Sequence, residues 1–128
     1  MKVLLDTHTL LWATLSPSDL TPKVAKIIAD ESNVILVSAA SAWEIATKVR
    51  LGRLPGAEKF EKEFLDVIED TGYTLIPIDA GVALRAGRFL AEHRDPFDRV
   101  LAAQALADDI PILSSDAKLD SFGLQRIW

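Results

Sequence analysis

Several stretches of the chain are apolar without alternation, among them Val3-Leu4-Leu5 and Val34-Ile35-Leu36-Val37. A strand with one face in water alternates apolar and polar residues, whereas a strand covered on both faces does not, so these runs predict inner strands of a parallel sheet. Tyr73 to Ile78 predicts a third strand, placed at an edge or near its own end by Pro77, which has no N–H for a ladder. Ile110 to Leu113 predicts a fourth, and Leu124 to Trp128 a short fifth. Helical spacing fills the intervals. His8 to Leu15 leaves the first strand, and Thr21-Pro22 starts a helix to about Glu31 with Val24, Ile27 and Ile28 inward. Ser38 caps a helix from Ala39 to Leu51, which Gly52 stops. Ala57 to Asp70 is one amphipathic helix closed by Gly72, Asp79 caps a helix from about Ala80 to His93, and Asp95-Pro96 opens the last one. Strands alternating with helices predict an α/β fold whose sheet carries helices on both faces.

Length and composition narrow this picture. The 128 residues make one domain with a real core, spanning 1–128. No apolar run approaches the roughly 20 residues that cross a bilayer, and the first residues enter a strand without signal-peptide character. No membrane partner and no export are expected. The absence of cysteine excludes disulfides and thiolate metal sites and suits a reducing, cytoplasmic setting. Fourteen basic and nineteen acidic residues leave a net charge of -5 and a pI near 4.9, the wrong sign for coating nucleic acid non-specifically. A divalent cation bound among clustered acids would invert that sign locally.

Four acids fall on one edge of the expected sheet. Asp6 follows the first strand, Glu44 lies in the helix after the second, Asp98 is in the first turn of the last helix, and Asp116 follows the fourth strand. Crowded carboxylates repel, and protonation or a bound cation relieves them. Oxygen ligands without cysteine or a spaced histidine pair favour Mg2+ or Mn2+ over Zn2+. Each acid also has a local alternative: Asp6 bonding turn amides, Glu44 completing a Ser41-x-x-Glu44 capping box, Asp98 favouring a helix dipole, Asp116 capping a turn. Four unrelated reasons converging on one edge are less economical than one site.

Four motifs carry a family resemblance. Leu4-Leu5-Asp6-Thr7-His8-Thr9-Leu10-Leu11-Trp12, then Ser41-Ala42-Trp43-Glu44-Ile45, then His93 to Ala105 (HRDPFDRVLAAQA) with Leu113-Ser114-Ser115-Asp116, resemble the ordered motifs of PIN domains, and more narrowly the VapC-type toxins of bacterial toxin and antitoxin pairs. The resemblance covers Met1 to about Phe122. It implies a three-layer α/β/α sandwich around a mostly parallel sheet of four to five strands. It also implies a Mg2+- or Mn2+-dependent ribonuclease restrained by a cognate antitoxin, with Asp6, Glu44, Asp98 and Asp116 as the metal-holding acids. Thr7 is then a hydroxyl near the metal, and Asp95 either joins the site or only caps its helix.

The residue types suit that chemistry, because two divalent ions can activate water and stabilise a leaving oxygen without a nucleophilic side chain. His8 and His93 lack metal-pair spacing. Lys48, Arg50, Arg53, Arg85, Arg88, Arg94 and Arg99 are candidates for an RNA-backbone groove, with simple solvation as the alternative. Trp12 and Trp43 occupy apolar helical positions and are expected in the core or an interface. A homodimer and a basic antitoxin segment are expected to use exposed apolar residues of the Pro22 to Glu31 and Ala57 to Asp70 helices. The rival class is an interaction module of the same fold with a catalytically silent site.

Overall fold

Strand β1 (Lys2–Leu5) lies at the middle of a five-stranded sheet in a computed structural model that describes residues 1–128. Its neighbours are β2 (Val34–Ser38) on one side and β4 (Ile112–Leu113) on the other, with β3 (Thr74–Ile76) and β5 (Arg126–Ile127) at the edges. Every pairing is parallel, with Val3 opposite Ile35 and Leu5 opposite Leu113. The chain therefore builds outward from β1 to β3, returns, and continues on the other side through β4. That reversal makes the carboxyl end of β1 beside β4 a topological switch point, where α/β sheets open a crevice. Pro77 directly follows the edge strand β3, where its missing N–H costs no ladder bond.

The unbroken apolar runs are explained by burial on both faces. Val3, Leu5, Ile35, Val37 and Leu113 point to one side, where they meet Leu10 of α1 (Thr7–Leu15), Val24 of α2 (Pro22–Ala29) and Ile45 of α3 (Ala39–Arg50). Phe60 of α4 (Glu58–Lys62) and Phe64 and Ile68 of α5 (Phe64–Thr71) complete that layer. Leu4, Leu36 and Ile112 point the other way onto Leu101, Ala102 and Ala105 of α7 (Pro96–Ala107) and onto Leu119 and Phe122 of a 3-10 turn. Helix α6 (Ala80–Arg88) packs on α7. The three-layer architecture expected from the pattern is present, and no helix is long and apolar enough to cross a membrane.

Three expectations are corrected. The single helix over Ala57 to Asp70 is two, broken at Glu63, whose φ of -99° and ψ of 15° leave the helical region. Four-residue steps drift by about 40° around a continuous helix. Phe60, Phe64 and Ile68 follow such steps and all bury, and the break turns all three toward the core. The apolar residues of α2 are not offered to a partner, because Val24 is buried and Ile27 and Ile28 pack on the core; Leu65 of α5, however, is 68% exposed.

The third correction concerns α6, which ends at Arg88 rather than His93. Arg99 is the reason. Its Nε donates to the Ala86 carbonyl at 2.8 Å, and its two terminal nitrogens donate to Ala91 and His93 (each 2.9 Å), Phe89 (2.6 Å) and Gly87 (3.4 Å). These are the orphan carbonyls of a helix end and the loop after it, and a planar five-donor fork satisfies them together. The guanidinium also lies 5.8 Å from the Phe89 ring centre. Arg99 is thus committed to the fold and does not belong with the backbone-gripping cations. Arg99→Met should destabilise the protein by roughly 3 kcal/mol, because several half-buried carbonyls lose a charged donor at once. Arg99→Lys should rescue little of this, since a point charge cannot reproduce the fork. Urea denaturation checks both, and two variants within about 0.5 kcal/mol of the wild type would refute the clamp.

Candidate active site

Asp6 is the first residue past β1 and is 5% exposed. Its side chain makes no capping hydrogen bond to α1. Instead the Ser114 hydroxyl donates to Asp6 Oδ2 at 2.7 Å, and the Asp6 amide donates to the Leu113 carbonyl at 3.1 Å. Ser114 follows β4, so the neighbouring strands place donor and acceptor side by side. Burial pushes the Asp6 carboxyl above its usual range and the nearby Glu44 charge adds to this, while the Ser114 hydroxyl and His8 oppose it.

Glu44 is carried in by α3. Ser38 caps that helix, its Oγ accepting from the Ala40 amide at 3.0 Å, so Glu44 lies in the second turn and the Ser41 capping-box alternative fails. Glu44 is 2% exposed, its Oε2 pairs with Lys48 one turn later, and its Oε1 is buried without a hydrogen-bond partner. Ser41, on the preceding turn, shares a 2.9 Å hydrogen bond with Thr7, so the Thr7 hydroxyl ties α1 to α3. Burial works against the Lys48 charge, but contact with Glu44 and the field of Asp95 and Asp98 outweigh it and raise the ammonium's pKa.

Helix α7 delivers Asp98. Asp95 caps this helix, its Oδ1 accepting from the Phe97 and Asp98 amides at 2.9 and 3.2 Å, so the Asp95 side chain has a structural task. Asp98 caps nothing. Its Oδ2 lies 2.8 Å from His93 Nε2, and the His93 ring stacks edge-on against Phe122 at 5.3 Å. Burial raises the Asp98 pKa to about 7, with Asp6, Asp95 and Glu44 pushing the same way and the His93 contact opposing. Asp116 caps its own 3-10 turn through the Lys118 amide and lines an open cleft with His93, Asp95 and Asp98. Its amide donates to Ser114 Oγ at 3.0 Å, which links it to Asp6 through one serine.

The structure therefore brings Asp6, Glu44 and Asp98 into one electrostatic unit, with Asp116 joined through Ser114 and the cleft wall. As the side chains lie, no three acidic or imidazole groups converge at ligating distance of one point. Lys48 and His93 hold two of the acids. The donor set is all oxygen, and the orphaned Glu44 Oε1 is a buried acceptor lacking a cation or donor, which suits a hard divalent ion. Reasoning from sequence missed the roles of Ser114, Ser41 and His93. The Glu44 to Lys48 pair had a readable signal, acid before base at a four-residue interval on a helix.

A family model for the PIN domain matches residues 3–123. The chain belongs to the PIN-domain family. Ribonuclease VapC16 of Mycobacterium tuberculosis is 39% identical over 62 residues, which cover 48% of this PIN chain and 44% of that protein, so less than half of the curated relative's length is matched. Among solved structures, VapBC2 from Rickettsia felis bound to a DNA fragment from their promoter superposes with a TM-score of 0.72 at 17% identity, covering 99% of this chain and 98% of that one. FitAcB from Neisseria gonorrhoeae gives 0.63 at 18% identity over 98% and 96% of the two chains. VapBC-1 from nontypeable Haemophilus influenzae gives 0.64 at 16% over 99% and 97%. These likenesses establish the PIN fold across the whole chain.

The raised Asp98 pKa has a definite sign for stability. Its carboxyl moves from 3.8 to about 7 on folding, so between those values the folded protein holds a proton that the unfolded chain releases. Its favourable contribution is complete below pH 4 and is lost as pH rises through 7. In EDTA, the stability of Asp98→Asn relative to wild type should therefore grow by on the order of 2 kcal/mol from pH 5 to pH 7.5. Urea denaturation at the two pH values measures this, and a difference that is flat or shrinks with pH would refute it.

Proposed function

We propose that this PIN domain is a Mg2+- or Mn2+-dependent endoribonuclease of the VapC type, a cytoplasmic toxin restrained by a cognate antitoxin. The observation that carries the reading is the buried, unpartnered Glu44 Oε1 in one electrostatic unit with Asp6 and Asp98 at the switch point of the sheet. The names of the relatives agree with it, one being called a ribonuclease and two structures VapBC assemblies.

Asp6, Glu44, Asp98 and Asp116 are the residues that would hold the cation. Bound there, a divalent ion would supply a water of lowered pKa and charge stabilisation for the leaving oxygen of a phosphodiester. The chain's own side chains prepare that arrangement. Ser114 orients Asp6, Lys48 holds Glu44, and the His93 imidazole shares a proton with Asp98 Oδ2. The cleft lined by Asp98 and Asp116 is open and flanked by Arg94 and Lys118, which suits an extended, anionic substrate.

Asp98→Asn separates this reading from a silent interaction module. The substitution keeps shape and side-chain hydrogen bonding but removes one carboxylate charge, so a folded variant should lose Mn2+-dependent RNA cleavage by at least about a hundredfold if that charge holds the ion. Gel-resolved cleavage of total RNA with and without Mn2+ measures it. Full activity of the folded variant would sink the proposal.

The same acids define the restraint. A tethered arginine or lysine from the antitoxin can occupy the carboxylates in place of the cation. Exposed Leu65, Leu84 and Leu90 provide apolar area for that antitoxin and for a second copy of the chain in a homodimer. A basic peptide should bind more weakly in millimolar Mn2+ and more weakly to Asp98→Asn, and light scattering should report a dimer. Peptide affinity indifferent to both changes would overturn the competition, and a strict monomer would overturn the dimer.

A further inference from the structure

We infer that Lys48 is a tethered counter-cation of the acid cluster, a positioning residue that keeps Glu44 in the site of the cation-free protein and yields that carboxylate when a divalent ion arrives. The inference rests on the metal-dependent reading above and goes beyond it by assigning the residue that sets cation affinity.

Glu44 is almost wholly buried, and a buried carboxylate without an opposite charge is costly. Lys48 meets that need from the next turn of the same helix, its ammonium on Glu44 Oε2. The remaining oxygen, Oε1, has no donor at all, so the lysine satisfies only half of the group. The charges of Asp95, which caps α7, and of Asp98, on its first turn, also act on Lys48. Its side chain is 24% exposed while that of Glu44 is 3% exposed. The carboxylate is therefore enclosed, whereas the ammonium has a route to solvent along its flexible stem.

A divalent ion and an ammonium drawn to the same carboxylate repel each other, so Lys48 must lower the affinity of the cluster for its cation. With the lysine in place, Glu44 is positioned before the ion enters. Without it, Glu44 loses its one side-chain partner while Asp6 keeps Ser114 and Asp98 keeps His93, and a cation becomes the available counter-charge for Glu44. Lys48 thus trades cation affinity for a site that survives cation-free.

The test measures Mn2+ binding to the protein without RNA, by the electron paramagnetic resonance signal of unbound Mn2+, together with melting temperatures in EDTA and in Mn2+ at one fixed pH. Wild type, Lys48→Met, Lys48→Arg and Glu44→Gln are compared. Lys48→Met, similar in length but uncharged, should bind Mn2+ about tenfold tighter, given the repulsion between charges a few ångströms apart. It should melt lower in EDTA and recover in Mn2+. Lys48→Arg should remain near wild type in both respects, and Glu44→Gln should bind Mn2+ weakly. Unchanged or weaker Mn2+ binding by Lys48→Met, or a melting deficit equal with and without Mn2+, would overturn the inference and leave the metal site intact. A Lys48→Met protein that fails to fold in EDTA supports the inference if Mn2+ refolds it and overturns it if not. Wild-type protein that takes up no Mn2+ overturns the metal-dependent reading, and the inference with it.

Discussion

Carboxylates cannot be gathered in a protein interior unless something answers their charge, and the structure around the end of β1 is organised by that constraint. Each acid has its own answer. Asp6 takes the Ser114 hydroxyl, Glu44 the Lys48 ammonium, Asp98 the His93 imidazole, and Asp116 the Lys118 amide of its own turn. For Asp6, Glu44 and Asp98 the answer is incomplete. One Glu44 oxygen has no partner, and burial still raises the pKa of Asp6 and Asp98. The cluster is in this sense poised: stable enough to fold, with residual repulsion that a cation would remove.

The sheet makes such crowding feasible. Because β1 is covered on both faces and flanked on both sides, the residue after it enters the interior whatever its polarity. Thr9 Oγ1 donates to the Leu113 carbonyl at 2.7 Å and Thr7 bonds Ser41, so α1 is locked to β4 and α3 at the turn that carries Asp6. The buried hydroxyls of this edge tie α1 to α3 and β4, which favours one arrangement of these elements over close alternatives.

Much of this was legible in the chain because the signals were local. Undivided apolar runs announce buried parallel strands, and Thr21, Ser38, Asp79 and Asp95 all cap the helices they precede. The four acids could be read from their positions just past strands and helix starts. The break at Glu63 could not, because neither proline nor glycine marks it and its cause lies in three side chains meeting a core. Nor could the end of α6, which depends on an arginine eleven residues downstream of Arg88. His93 looked unimportant for the same reason: its meaning comes from a contact with Asp98 that only the folded loop creates.

That loop joins the fold to the site. Asp98 and Arg99 are consecutive on α7, yet one turns to the acid cluster and the other to the carbonyls after α6. Arg99 holds the His93 carbonyl at 2.9 Å, and the same His93 brings its imidazole back to Asp98 at 2.8 Å. The circuit closes through two adjacent residues of one rigid helix, so His93 is positioned by the helix that carries its partner. Phe122 backs it from the interior, packing on both His93 and Phe89. A cation drawing Asp98 inward would therefore pull on a contact backed by a five-donor clamp, whereas drawing Glu44 inward would displace only one lysine. The two halves of the cluster are thus held differently, Asp98 through a circuit tied to the loop after α6 and Glu44 through a single lysine of its own helix.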